Sequence, residues 1–138
     1  MARRDPRARY LASAPPAFQE SFGQIAALVH QTFPSAEEVF AYRMPGWKMR
    51  RRLRKEDGLL VGTIDPRYVW LLVAARSRGL TVHLWNPADP GCLQRNVPIL
   101  KEAGLTVLRG CLQHTRKQPF PIAPLRTVLR EVRRTSRL

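Results

Sequence analysis

The run from Tyr68 to Ala75, YVWLLVAA, constrains the fold most, because it is apolar on both of its alternating faces. Successive side chains of a β-strand point to opposite faces of the sheet, so a strand of this composition needs cover on both faces. Helices can supply that cover on one face, and a second copy of the chain or another partner is a candidate for the other. The longest apolar stretch, Val69 to Ala75, is far shorter than the ~18 residues of a membrane-spanning helix, so we expect a soluble protein without a membrane partner.

Two amphipathic helices are predicted, one before and one after the strands. The first runs from about Pro16 to Thr32, because aromatic and aliphatic residues recur there every three or four positions and Pro34 prevents its continuation. The second lies near the end of the chain, where apolar residues share one helical face and the outer face is basic. The residues that define its apolar face are Leu125, Val128, Leu129 and Val132.

Extended segments fill the interval between these helices. The sequence predicts a hairpin around Asp57-Gly58, and between 86 and 104 it supports at most short helical pieces. The predicted strands are Val39–Tyr42, Trp47–Arg54, Leu59–Ile64, Tyr68–Ala75 and Leu80–Trp85, with shorter runs at 105–108 and 111–115. Helix, hairpin-linked strands and helix predict a two-layer α+β fold with an antiparallel sheet of about five strands. We expect one domain over 1–138, with a core from about 10 to 132 and basic tails at both ends.

The chain is strongly basic, with 24 Lys and Arg against 10 Asp and Glu and a formal net charge of +14. Three clusters hold much of this charge, at 3–9, 48–55 and 126–137. A field of this sign attracts polyanions, so weak, sequence-independent binding of DNA or RNA is one hypothesis. No zinc-finger, helix-turn-helix or aromatic RNA-platform motif accompanies the charge, and a solvated basic surface is the simpler interpretation.

Cysteine use and the N-terminus indicate a cytoplasmic protein. Cys92 and Cys111 match no metal-ligand spacing, and two isolated cysteines are typical of reduced thiols. The Arg-rich start of the chain lacks the apolar segment of a secretory signal. His30, His83 and His114 show no metal-binding spacing, and no nucleophile or phosphate-binding motif occurs. We therefore predict no catalytic residue, metal site or cofactor, and favour a binding protein over an enzyme.

Two places are candidates for ligand binding. The first is EEVFAYRMPGW at 37–47, where Glu38, Tyr42 and Trp47 could contact a ligand. The simpler interpretation is an architectural joint, in which Tyr42 and Trp47 close one end of the core and Pro45-Gly46 forms the turn. The second is the pair His83 and Trp85, which share one face of a strand.

The chain resembles the YdhG-like domain family of unknown function from about Tyr10 to Val132. The resemblance rests on HQTFPSAEEVFAYRMPGW and RGCLQHTRKQPFPIAPLRTVLREV, and in the first of these on Pro34, Glu38, Tyr42, Pro45 and Trp47. It implies a compact α+β domain with one antiparallel sheet and two flanking helices, and no reaction. One branch of the family is regarded as frataxin-like and as an iron chaperone, which implies metal delivery as an alternative function.

The amino-acid sequence itself, in contrast to the frataxin-like branch, favours a small binding or interaction domain. Its partner would be a small molecule or a protein. The iron-chaperone alternative would need acidic ligands, since hard cations seek oxygen. The first helix offers only Glu20, and a positive surface repels metal cations. A homodimer formed through the sheet face and weak polyanion binding remain the other partner hypotheses.

Overall fold

A computed structural model of the chain describes residues 5–50, 67–87, 89–115 and 118–136. Three helices of eight or more residues lie within these ranges, and two short helices follow the fourth strand. Their bounds are α1 Pro6–Ser13, α2 Pro16–Thr32, α3 Cys92–Arg95, α4 Val97–Glu102 and α5 Ile122–Ser136. No helix in these ranges combines the length and the apolar character needed to cross a membrane.

The described strands form one antiparallel sheet of six strands in the order β1-β2-β3-β4-β6-β5. Their bounds are β1 Glu37–Ala41, β2 Met44–Arg50, β3 Tyr68–Arg76, β4 Gly79–Trp85, β5 Thr106–Leu108 and β6 Cys111–His114. The predicted α+β class with an antiparallel sheet is confirmed, with a slightly larger number of strands. The predicted hairpin around Asp57-Gly58, including Leu59–Ile64, lies outside the described residues.

The helices pack on one face of the sheet and enclose the core. Register places Trp47, Leu71 and Leu84 side by side across β2, β3 and β4, and all three are buried. The apolar faces of α2 and α5 complete the same cluster, as the helical spacing of their residues predicts. Burial of this single apolar cluster is the main contribution to the stability of the fold.

The turn between β1 and β2 differs from the prediction. Tyr42 and Arg43 form it, with φ values of 51° and 61°, whereas Pro45 and Gly46 lie within β2. Positive φ at both central residues matches the right-handed twist of a two-residue hairpin. Gly46 has a packing role instead: a Cβ at this position would lie 2.0 Å from the Leu71 carbonyl oxygen, so only glycine allows β3 to approach.

Helix α1 occupies part of the segment that the sequence suggested was a basic tail. Asp5 caps it by accepting a hydrogen bond from the Ala8 N–H at 3.0 Å, and Pro6 occupies its first position. Tyr10 anchors the helix to the sheet, because its hydroxyl accepts a hydrogen bond from the Ala75 N–H at 2.7 Å. At the other end, α5 continues past Val132 to Ser136.

Candidate functional site

The sheet separates the candidate residues onto two faces. Glu38 pairs with Trp47, so both project toward the helices. His83 and Trp85 alternate with the buried Val82 and Leu84, so they project from the opposite face. We call this opposite face the open face, because no described helix packs on it; its residues used below are Lys48, Tyr68, Trp70, Leu72, Arg76, Thr81, His83, Trp85 and Cys111.

The corner at 37–47 does not form a single pocket. The Tyr42 side chain is 55% exposed at the hairpin turn, whereas Trp47 is fully buried. The Glu38 carboxylate is exposed and lies 3.9 Å from the Arg7 guanidinium. Its neighbour Glu37 lies on the other face, 3.5 Å from the Lys48 ammonium, as expected for adjacent strand residues. Tyr42 therefore does not close the core, and that part of the predicted joint is wrong.

Trp47 has the packing of a core residue. Its ring stacks on Phe22 with a centroid distance of 4.9 Å and an interplanar angle of 23°, and His30 meets it edge-on at 6.3 Å. The Arg7 guanidinium lies over the rings of both Phe22 and Trp47, at 5.3 and 5.5 Å. Arg7 thus covers the aromatic stack with its charged end, a common arrangement for amphipathic side chains.

One end of the open face carries an aromatic patch, which we define as Lys48, Tyr68, Trp70 and Trp85. Lys48, Trp70 and Trp85 are direct neighbours across β2, β3 and β4. The Lys48 ammonium lies 4.5 Å from the Tyr68 ring centroid and 5.8 Å from that of Trp70, and the two rings meet edge-on. Trp85 is 44% exposed, which is unusual for so large an apolar side chain.

His83 lies beside this patch, diagonally across from Trp70. Burial, and after it the Arg76 guanidinium, lower the pKa of His83, so the imidazole is neutral at pH 7. Arg76 is held on this face by a hydrogen bond that its Nε donates to the Thr81 hydroxyl at 3.2 Å. Cys111 pairs directly with His83, and burial raises the pKa of its thiol, so it is not an activated nucleophile.

Two ring nitrogens on the open face are buried without a hydrogen-bond partner among the described residues. They are Nε1 of Trp70 and Nε2 of His83. Buried polar atoms are nearly always hydrogen-bonded, so these two nitrogens carry hydrogen-bonding capacity that no described residue satisfies. The centre of the face is buried, with Leu72 only 3% exposed. The accessible part is therefore the aromatic patch and its border with His83.

Sequence reasoning found His83 and Trp85 but missed Lys48, Tyr68 and Trp70. The missing information was the register of β2 against β3, since residues from three strands build the patch. The three histidines do not meet: His114 pairs with Leu80 toward the helices, and His30 is on α2. Within the described ranges no group of three His, Cys, Asp or Glu side chains is placed to hold a metal ion.

A separate polar network joins α3 to α5. Arg95 bonds to the carboxylates of Asp89 and Glu131, and Asn96 donates to Glu131 at 2.8 Å. The hydrogen bonds from Asn96 and Arg95 lower the pKa of Glu131. Cys92 is a buried free thiol beside this network, and burial raises its pKa to about 11. Every member of the network has a partner, which is typical of a structural role.

Comparison with known proteins supports the fold. No protein-family profile matches the chain, and no curated protein is similar to it in sequence. The chain is similar in structure to YdhG of Bacillus subtilis, a protein from the DUF1801 family, with a TM-score of 0.63 and 13% sequence identity. The similarity covers 94% of this chain and 88% of YdhG. The chain therefore has a YdhG-like fold, as the resemblance in its sequence implies.

Proposed function

We propose that this protein is a binding module and that the aromatic patch with His83 holds its ligand. The observation that carries the proposal is the pair of buried, unpartnered ring nitrogens, of Trp70 and His83, on the sheet face that no described helix covers. Unmet hydrogen-bonding capacity next to exposed aromatic surface is typical of a ligand site, where apolar walls combine with a few placed polar groups.

The chemistry of the patch favours a planar organic anion. The exposed indole of Trp85 offers a flat surface for stacking. Lys48, which also pairs with Glu37 at 3.5 Å, supplies a positive charge beside the rings, and Arg76 supplies a second one near His83. The Trp70 N–H can donate to an oxygen of the ligand, and the neutral His83 can donate or accept. A flat aromatic carboxylate would stack on Trp85 and place its charged group near Lys48, which lies directly beside Trp70 and Trp85 across the strands.

The test is a titration with 2-naphthoate, observed by NMR through the indole N–H resonances. The chain has three tryptophans, so each resonance reports on one position. We expect saturable shifts for Trp70 and Trp85 and none for the buried Trp47. The neutral 2-naphthamide tests the need for charge, and cyclohexanecarboxylate tests the need for a flat ring. Both should bind more weakly than 2-naphthoate.

Matched variants locate the site. Trp85→Ala should weaken 2-naphthoate binding by ~10-fold, because loss of a stacking partner costs about 1–3 kcal/mol. Tyr42→Ala is the control, since it removes an aromatic side chain of similar exposure from the hairpin turn. Equal losses in both variants, or shifts that do not saturate, would contradict the proposal. Sedimentation that shows a dimer dissociated by Trp85→Ala, without 2-naphthoate binding, would instead assign the patch to a second copy of the chain.

A further inference from the structure

A cleft between α2 and α5 lies in the helix layer, on the other side of the sheet from the aromatic patch. It has a volume of about 240 Å³, and its walls come from the C-terminal half of α2 and one flank of α5. The residues that line it are Leu28, Gln31, Thr32, Arg126, Arg130 and Arg133. Three arginines therefore line one small cleft.

Helical geometry explains how the three arginines come together. Arg126, Arg130 and Arg133 are spaced by four and three residues, so they form one ridge along α5. The neighbouring face of α5, which includes Leu125 and Leu129, is buried in the core cluster. This docking fixes the arginine ridge beside α2.

The three arginines have no acceptor in the part of the chain that the structure describes: no hydrogen bond or ion pair joins them to any side chain or carbonyl there. Glu131, the acidic residue of α5, already binds Arg95 and Asn96 on another flank of the helix. Like charges three and four residues apart destabilise a helix. A bound dianion would remove that repulsion.

We propose that this arginine cleft binds a terminal phosphate dianion, either inorganic phosphate or the phosphate of a monoester. Guanidinium groups match phosphate oxygens through paired N–H donors. The Gln31 amide adds a neutral donor to the same cleft, whereas the Thr32 hydroxyl already donates to the Leu28 carbonyl at 2.9 Å. Its volume is below the ~300–1,000 Å³ of sites that enclose a whole organic ligand. It therefore suits a phosphate group whose carrier extends into solvent.

The test is calorimetric titration of the full chain with inorganic phosphate and, separately, with phosphoserine. Ionic strength is held constant with chloride, because the overall charge attracts every anion. We expect saturable binding in the low millimolar range or tighter. Diethyl phosphate, a diester with one negative charge, should bind at least ~10-fold more weakly. If only inorganic phosphate binds, the ligand is the free ion; if phosphoserine binds as well, monoesters are ligands too.

Variants of equal charge separate the cleft from the general field. Arg130→Gln should weaken phosphate binding by at least ~10-fold, because it removes charged hydrogen bonds. Arg134→Gln removes the same charge from the same helix but lies outside the cleft, so it should bind phosphate like the original chain. Both arginines are exposed, so both variants should fold. Equal effects of the two substitutions, or no binding by the original chain, would overturn the proposal.

Discussion

Replacement of Trp47 by alanine should destabilise the fold severely. A fully buried tryptophan removes ~150–250 Å² from water, and at ~25 cal/mol per Å² this corresponds to about 4–6 kcal/mol. The buried indole N–H of Trp47 has no hydrogen-bond partner among the described residues, and its removal recovers ~1 kcal/mol. We therefore expect a net loss of ~3–5 kcal/mol, which agrees with measured costs of removing buried aromatic side chains.

Thermal melting followed by circular dichroism measures this loss. In a chain of this length a loss of 3–5 kcal/mol lowers the Tm by ~10–20 °C. Trp47→Phe should cost less than half as much, because it keeps the stack on Phe22 and deletes the unpartnered N–H. Trp85→Ala is the exposed control, and its Tm should change by only a few degrees. A Trp47→Ala protein that melts within a few degrees of the original would refute the core role of this residue.

Three further predictions concern close packing, acid stability and a surface ion pair. Gly46→Ala should prevent stable folding, since the added Cβ would overlap a carbonyl oxygen of β3. At Gly23, within α2, an added Cβ contacts no other atom, so Gly23→Ala should raise the free energy of urea unfolding by ~0.5–1 kcal/mol. The pKa of Glu131 is lower in the folded chain than in the unfolded chain, so the ionised carboxylate stabilises the fold above its ordinary pKa of 4.5. This stability is lost as the pH falls through the lowered pKa. In Glu131→Gln, the urea midpoint should therefore decline less on acidification below about pH 4.5. Glu38→Gln should change the Tm little, because its ion pair is exposed, and Arg7→Ala should lower the Tm more, because that side chain covers two core rings.

The sequence predicted the elements whose pattern is set by burial. The periodicity of α2 and α5 and the apolar run in β3 all follow from which faces lie in the core, so local spacing was sufficient. The missed helix α1 has no fully buried residue, so it carries no strong apolar period. Its signal was the Asp5-Pro6 pair, an N-cap followed by a proline at the first helical position.

The position of the hairpin turn could not be predicted from residue preferences alone. Pro45-Gly46 is a strong turn signal, and Tyr42-Arg43 is a weak one. The deciding contact is between strands far apart in sequence, because the backbone of β3 lies against Gly46 and excludes a side chain there. The turn then falls at Tyr42 and Arg43, which adopt positive φ.

The candidate site shows the same limit. Alternation along β4 placed His83 and Trp85 on one face, but alternation within a strand says nothing about which residues of other strands lie beside them. The register of three strands adds Trp70 and Lys48 to Trp85. It also separates Trp85 from Trp47, which lies on the other face. The sequence could supply the members of the site strand by strand, but not their assembly.

The aromatic patch and the arginine cleft should behave as independent sites, because the sheet and the buried core lie between them. Substitutions at distant positions that share no partner change the free energy of unfolding additively, within ~0.5 kcal/mol. A chain with both Trp85→Ala and Arg130→Gln should therefore lose stability by the sum of the single effects. Phosphate affinity should be the same with and without Trp85→Ala, and Arg130→Gln should affect 2-naphthoate binding no more than Arg134→Gln does. A change in phosphate affinity on Trp85→Ala would show that the two faces communicate through the core, and the two surfaces would then have to be treated as one coupled system.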